Sequence, residues 1–128
     1  MLKKRLGTEA IETDWYSDEK LINYFKIPST LTIPKDVDEI GDYAFRDCKE
    51  LKKVIFSDNV EYIWPGAFQN CSNLKKVKIP ESVKIIGAGA FQGCYNATII
   101  LKKLREDFES IGECAFHNVK YVKKEIRS

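Results

Sequence analysis

Apolar positions return at a fixed spacing through most of the chain. The block at 67–74, Ala-Phe-Gln-Asn-Cys-Ser-Asn-Leu, has counterparts 23 residues earlier at 44–51 and 23 residues later at 90–97. Each copy keeps the Ala-Phe pair and the cysteine three residues after the phenylalanine. A fixed period of this length is typical of a solenoid, in which each repeat stacks on the next. The sequence therefore predicts a strand-rich solenoid with about four repeats.

Each repeat also contains a short alternating stretch that predicts a strand. Apolar and polar residues alternate at 31–33 and again at 76–79, as a half-buried strand requires. Because successive side chains of a strand point to opposite faces, Val54 turns inward while Lys53 and Ile55 point outward. The period carries this register to other outward positions, namely Thr30, Thr32, Lys76, Lys78, Ile99 and Leu101.

The period also divides the chain into repeats and ends. Repeats are predicted at 28–50, 51–73, 74–96 and 97–121, and the last contains two inserted residues after about Leu101 because its Ala-Phe pair returns at 25 residues. Residues 1–27 are predicted to form a partly helical N-terminal cap, since 17–19 resemble a helix start and apolar residues follow at helical spacing. Residues 122–128 are predicted to form a C-terminal cap, because charged residues interrupt the pattern there.

Composition restricts the class of protein. The chain has 128 residues, of which 44% are hydrophobic and 31% charged, as expected for one globular domain. The net charge of +2 gives no strong indication of nucleic-acid or membrane binding. No apolar run reaches the roughly 20 residues of a membrane span. The basic start is followed by acidic and polar residues, so no secretory signal is identified. We expect a cytoplasmic protein if Met1 is the natural start, and a cell-surface protein if the chain is a fragment.

Three of the four cysteines, Cys48, Cys71 and Cys94, occupy the same position of the repeat, and Cys114 does not. An even number of cysteines allows disulfides, but the periodic position favours reduced thiols reused as small buried side chains. There is no C-x-x-C pair and only one histidine, His117, so no zinc site and no cofactor are expected.

The pattern from Ile79 to Ala97, Ile-Pro…Val-x-x-Ile-Gly-x-x-Ala-Phe-x-x-Cys, resembles the BspA-like (treponemal-type) leucine-rich repeats. The resemblance covers roughly residues 28–121. It implies a curved solenoid of the α/β leucine-rich-repeat type, with one strand per repeat on a concave sheet and a second short extended segment at Val-x-x-Ile. Members of the family are mostly surface proteins that bind host or matrix proteins, which implies a surface adhesin fragment as one function.

Two sets of exposed residues are candidates for binding a protein partner. The first set lies on the predicted concave sheet and comprises Lys53, Ile55, Lys76, Lys78 and Leu101. The second set, Tyr62 and Trp64, lies on the later extended segment and could supply aromatic anchors. The alternative interpretation is an ordinary solvated lysine face that also prevents edge pairing.

Other functional classes are less well supported by the sequence. Lysines aligned across two repeats could contact phosphates, but acidic residues are interspersed and no base-stacking platform is evident. Catalysis is not expected, because Cys114 and His117 lack an orienting group and an oxyanion site. The sequence favours a non-catalytic protein–protein interaction module. An adhesin fragment, a small intracellular inhibitor and a weak nucleic-acid binder remain as alternatives, and the oligomeric state is left open.

Overall fold

The computed structural model describes residues 4–6 and 29–126. Over these residues the chain is built from short strands joined by turns. In chain order the strands are β1 (Lys4–Leu6), β2 (Thr30–Thr32), β3 (Val37–Ile40), β4 (Lys53–Ile55), β5 (Tyr62–Ile63), β6 (Lys76–Ile79), β7 (Ile85–Ile86), β8 (Thr98–Leu101), β9 (Ser110–Ile111) and β10 (Tyr121–Lys124). One 3-10 turn, Arg105–Asp107, lies between β8 and β9.

The strands form two parallel five-stranded sheets. The front sheet has the order β10-β8-β6-β4-β2, and the side sheet has the order β1-β3-β5-β7-β9. Each coil of the chain contributes one strand to the front sheet and one to the side sheet, so neighbouring coils stack in parallel register. This arrangement confirms the solenoid and both predicted extended segments of the repeat.

The repeated phenylalanines stack as a ladder through the core. Ring centroids lie 5.4 Å apart for Phe45–Phe68, 5.4 Å for Phe68–Phe91 and 6.1 Å for Phe91–Phe116, and each pair is stacked. Aromatic pairs of this kind contribute about 0.5–1.5 kcal/mol each beyond the burial of their surface. The ladder therefore links all four coils, as the spacing predicts.

The repeated cysteines are buried and free, as predicted, and they also join neighbouring coils. The Cys71 Sγ donates to the Phe45 carbonyl at 3.1 Å, and the Cys94 Sγ donates to the Phe68 carbonyl at 3.1 Å. The pKa of the Cys71 thiol is raised by its contact with Cys94 and by burial, so Cys71 stays protonated and unreactive.

The turn of each coil contains two backbone positions in the left-handed region. The first is occupied by Tyr43, Gly66, Gly89 and Cys114, and the second by Asp47, Asn70, Gly93 and Asn118. The repeat glycine at position 87 has a different role, because a Cβ there would lie 2.3 Å from the Pro65 backbone nitrogen of the preceding coil. Gly87 is therefore required by the close approach of the neighbouring backbone and not by a left-handed conformation.

The fourth coil departs from the period, and this corrects one prediction. Lys76 pairs with Thr98 and Ile79 with Leu101, a spacing of 22 residues rather than 23. A one-residue change in register exchanges the two faces of a strand. Ile99 and Leu101, predicted to be exposed, are therefore fully buried, and the positions of β8 that alternate with them are Thr98, which is partly exposed, and Ile100, which is itself buried.

The two ends of the solenoid differ. At the start, β1 pairs with β3 and so extends the side sheet, whereas the helix predicted within 1–27 lies outside the described residues. At the other end the predicted cap contributes β10, which pairs with β8 over four residues. Within 29–126, no helix has the length and apolar character needed to cross a membrane.

Candidate protein-binding face

The outward side of the front sheet carries polar and basic side chains at alternate positions of each strand. In β4 and β6 the inward residues Val54 and Val77 are buried, while their neighbours on either side point to solvent. We call this surface the lysine face. Its residues, all at least partly exposed, are Thr30, Thr32, Lys53, Ile55, Lys76, Lys78, Thr98, Tyr121 and Lys123.

Two lysines of this face lie directly opposite each other. Lys53 and Lys76 are register partners in β4 and β6, and both are exposed. Neither these two nor Lys78 forms an ion pair within residues 29–126. Like charges at opposed positions of a sheet destabilise it. The arrangement therefore leaves an electropositive surface whose charges are available to another molecule.

Apolar surface accompanies these charges. Ile55 is 42% exposed next to Lys53, and the two line a shallow groove together with Lys76 and Lys78. Four of the residues predicted for the site thus come together. Exposed aliphatic surface bordered by cations is a combination that protein interfaces use, with the apolar part buried and the charges at the rim.

The remaining predicted residue of the front sheet, Leu101, is not part of this face. Leu101 is buried behind the sheet because the register of β8 is shifted by one residue from the 23-residue period. Tyr121, which sequence reasoning missed, pairs with Thr98 and is 60% exposed on the same side as the lysines. Its place could have been found by extending the alternation into the tail instead of ending the repeats at 121.

The predicted aromatic residues, Tyr62 and Trp64, lie together but on the side sheet. Their rings stack with centroids 5.2 Å apart and planes 11° apart. The Trp64 Nε1 donates to the Glu39 carboxylate at 2.6 Å, and both aromatic side chains are half-buried. Because its polar group is already bonded, Trp64 serves here to tie the first coil to the second, and the pair does not adjoin the lysine face.

Charges on the side sheet neutralise one another. The Lys84 Nζ lies 3.4 Å from the Glu61 carboxylate, and this contact raises the pKa of Lys84. Across the described residues Lys53, Lys76 and Lys78 of the front sheet form no ion pair, whereas Lys123 at its edge is paired with Glu125 at 3.1 Å, as Lys84 is with Glu61 on the side sheet. The unpaired positive charge is therefore greater on the lysine face than on the side sheet.

The side chains that could ligate a metal or act as nucleophiles lie apart within residues 29–126. No three His, Cys, Asp or Glu side chains in this part of the chain converge as metal ligands would. Cys114 and His117 are both exposed, and the contact between them is the backbone bond from the His117 N–H to the Cys114 carbonyl. Among the residues that the structure describes, neither side chain has a hydrogen-bonded group that would orient it as nucleophilic catalysis requires.

Comparisons with known proteins agree with the repeat architecture. The family model for the BspA type leucine rich repeat region matches residues 9–128 in six copies. A solved structure of a leucine rich cell surface protein from Faecalibacterium prausnitzii A2-165 is similar at 25% identity with a TM-score of 0.52. That match covers 94% of this chain and 38% of the other, so the chain spans well under half of that protein. No curated protein matches the chain in sequence. The chain therefore belongs to the BspA-type leucine-rich repeat family.

Proposed function

We propose that this chain is a non-catalytic protein-binding module that uses the lysine face. The observation that supports this most directly is the opposition of Lys53 and Lys76. A sheet that served only as scaffold would gain stability from opposite or neutral residues at such a pair. Here two lysines face each other beside exposed Ile55, and no carboxylate among the described residues neutralises them.

The partner that fits this surface presents carboxylates around an apolar patch. Charge complementarity of this kind raises the rate of association and selects against basic partners. Burial of Ile55 and the ring of Tyr121 would supply the apolar part of the contact. The alternative of nucleic-acid binding lacks an aromatic platform on this face, since Tyr121 is the single exposed aromatic residue among its outward positions.

The setting of this binding is also a proposal. The similar solved structure is that of a cell surface protein. This similarity favours a module that works at the cell surface over the intracellular inhibitor that the sequence also allowed. Protease shaving of intact cells of the source organism, followed by peptide identification, should release fragments of this chain. Recovery of the chain only after lysis would contradict the surface location. It would not bear on the proposal that the lysine face binds a partner.

Affinity capture with a matched pair of variants tests the binding face. The test variant carries Lys53→Glu, Ile55→Glu and Lys78→Glu, and the control carries Lys35→Glu, Lys49→Glu and Tyr95→Glu at exposed positions outside the front sheet. Bait proteins are exposed to separate pools of lysate and extracellular-matrix proteins, and captured partners are quantified by mass spectrometry.

We expect a partner that binds the wild type and the control but is lost, by at least about tenfold, from the test variant. A partner retained equally by all three baits would place binding elsewhere and contradict the proposal. If no protein partner is captured and the chain binds nucleic acid with an affinity that falls steeply as salt is raised, the nucleic-acid alternative would be supported instead. Unchanged circular dichroism of both variants shows that neither set of changes acts through unfolding.

A further inference from the structure

The turns that lead from the side sheet to the front sheet carry no charged side chain in the second and third coils. Residues 62–74 and 85–101 contain no Asp, Glu, Lys or Arg, although 31% of the chain is charged. The equivalent turns on either side are charged, with Arg46 and Lys49 in the first coil and Glu113 in the fourth. We call the neutral polar surface between them the amide edge. Its residues, all at least partly exposed, are Gln69, Asn70, Ser72, Asn73, Gln92, Tyr95 and Asn96.

Hydrogen bonds between coils hold the amide side chains of this edge in place. The Gln69 Nε2 donates to the Gln92 Oε1 at 2.9 Å. The Asn96 Nδ2 donates to the Ser72 carbonyl at 2.8 Å, and Asn73 makes the equivalent bond to the first coil at 2.7 Å. Each bond uses one of the two donors of an amide nitrogen, and a carboxamide oxygen has room for two donors. The edge therefore offers further donors and acceptors to a ligand, at positions that are already ordered.

Tyr95 adds an aromatic ring to this polar surface. Its side chain is 60% exposed, and within residues 29–126 it forms no ring contact and no hydrogen bond. Its counterpart in the second coil is Ser72, so the ring stands beside a small side chain. Tyrosine supplies a large and rigid contact area at a low cost in side-chain entropy. The ring and the ordered amides together have the composition of a binding surface.

The chemistry of the amide edge restricts its ligand. A charged ligand would find no opposite charge on this surface, and an apolar one would bury amides without hydrogen bonds, which is costly. Carboxamides donate and accept hydrogen bonds, so they match hydroxyl groups, which also do both. A pyranose sugar carries hydroxyl groups around its rim and C–H groups on its face, and such a face fits the ring of Tyr95.

The spacing of the coils also matches a chain of sugars. Neighbouring parallel strands lie about 5 Å apart, and the stacked rings of Phe68 and Phe91 have centroids 5.4 Å apart. One sugar of an extended β-1,4-linked chain advances by nearly the same distance. Successive sugars laid along the solenoid therefore meet equivalent side chains, such as Asn73 and Asn96.

We propose that the amide edge binds a neutral, extended oligosaccharide of β-1,4-linked sugars that runs parallel to the solenoid axis. One sugar stacks on Tyr95, and the next sugar lies over the second coil. Their hydroxyl groups exchange hydrogen bonds with Gln69, Gln92, Asn73 and Asn96. This site is separate from the lysine face, because its residues lie in the turns that precede the front strands and not on the strands themselves.

Titration with defined oligosaccharides tests the proposal. The β-1,4-linked hexasaccharides of glucose and of N-acetylglucosamine are added to the isotopically labelled chain, and side-chain amide signals are followed by NMR. We expect the signals of Gln92 and Asn96 to shift, while that of Asn59, on another edge of the solenoid, stays unchanged. Maltohexaose has the same number of sugars in a curved, α-1,4-linked chain, and it should bind at least about tenfold more weakly.

Two variants and a matched control locate the site. Tyr95→Ala and Asn96→Ala should each weaken binding of the β-linked hexasaccharides by about tenfold or more. Asn59→Ala is the control, because Asn59 is also exposed and also donates to a carbonyl of the preceding coil, that of Lys35 at 2.7 Å. It removes the same kind of hydrogen bond as Asn96→Ala and should leave the affinity unchanged.

The absence of shifts with both β-linked hexasaccharides at millimolar concentration would overturn the proposal. Unchanged affinity of the Tyr95→Ala variant would do so as well, and so would equal binding of maltohexaose, because the spacing of the coils would then play no part. A glycoprotein held through its sugars would be lost from the variant with Tyr95→Glu and kept by the variant with Lys53→Glu, Ile55→Glu and Lys78→Glu. This is the reverse of the pattern expected for a partner of the lysine face, so each proposal is tested separately.

Discussion

The second and fourth coils carry the same motif but hold it in different surroundings. In the second coil Phe68 and Cys71 are fully buried, and the Phe68 ring is stacked on both sides by Phe45 and Phe91. In the fourth coil Phe116 is stacked on one side only and is half-buried, with the Arg105 guanidinium over it. The same residue type at the same repeat position therefore contributes different amounts to stability.

The difference shows that burial in a solenoid depends on both neighbouring coils. A coil contacts only the coils before and after it, so its side chains are covered by residues one period away in the sequence. The fourth coil has a complete partner on one side alone among the described residues. Cations in and before the turn Arg105–Asp107 lie over two rings of this coil: Arg105 over the half-buried Phe116 at 5.3 Å, and Lys103 over the buried Phe108 at 4.5 Å.

Thiol reactivity should separate the two regions most strongly. Cys48, Cys71 and Cys94 are buried, whereas Cys114 is exposed. We expect Cys114 to react at once with an aromatic disulfide reagent. The other three cysteines should react at least about a thousandfold more slowly, because the core must open before the reagent can reach them. Labelling kinetics with and without denaturant measure this. Rapid labelling of all four thiols in the native protein would show that the inner coils are not closed.

Removal of a phenylalanine should cost more in the second coil than in the fourth. Phe68→Ala should lower the free energy of unfolding by about 3–5 kcal/mol, because it leaves a cavity between two stacked rings. Phe116→Ala should cost about 1–2 kcal/mol, because the site is half-exposed and open to water. Chemical denaturation of both variants provides the comparison. Equal losses would mean that position in the stack does not control the contribution of the ring.

Substitutions at the first left-handed position of the turn should change stability by a smaller amount, and in opposite directions in the third and fourth coils. Cys114 occupies it with φ of 59°, whereas the third coil has Gly89 there. A left-handed conformation costs a non-glycine residue about 1–2 kcal/mol. We expect Cys114→Gly to stabilise the protein by about 1 kcal/mol and Gly89→Ala to destabilise it by a similar amount. Thermal unfolding that moves in the same direction for both changes would argue against this assignment.

The smallest effect concerns the lysine face. Lys53→Glu places opposite charges across β4 and β6, so it should raise the free energy of unfolding by about 0.2–1 kcal/mol. Lys49→Glu, in an exposed turn, serves as a control with the same change of charge and should have almost no effect. A loss of stability in Lys53→Glu would mean that Lys53 supports the sheet, and it would weaken the proposal that this face is kept basic for a partner.

The repeat pattern was sufficient for most of the architecture. The Ala-Phe-x-x-Cys spacing predicted the ladder of Phe45, Phe68 and Phe91 and the buried state of the repeat cysteines, because strict periodicity makes equivalent residues neighbours. It failed at Leu101, where the period was carried one residue too far. The fourth coil is one residue shorter before β8 and three residues longer after it, so the two changes partly cancel in the overall spacing and hide the slip.

The candidate site was predicted in part. Alternation within β4 and β6 correctly placed Lys53, Ile55, Lys76 and Lys78 on one face, since these strands keep the regular register. It could not show that Trp64 bonds to Glu39 across coils, or that Tyr121 joins the lysine face. These two contacts depend on how a residue outside the repeat pattern packs against the preceding coil, and a local sequence pattern does not predict such packing.

The sequence alone therefore determined the coil, its inward residues and the order in which coils stack, because each of these follows from a period and an alternation. The tertiary structure alone decided which side chains are covered, which charges are paired and where backbone donors remain without acceptors. These properties arise between residues about one period apart, so they depend on exact register and on the presence of a neighbouring coil. The turn at Cys114, Phe116 and Asn118 is the clearest case, since within the described residues its N–H groups have no acceptor, whereas those of the preceding turn do.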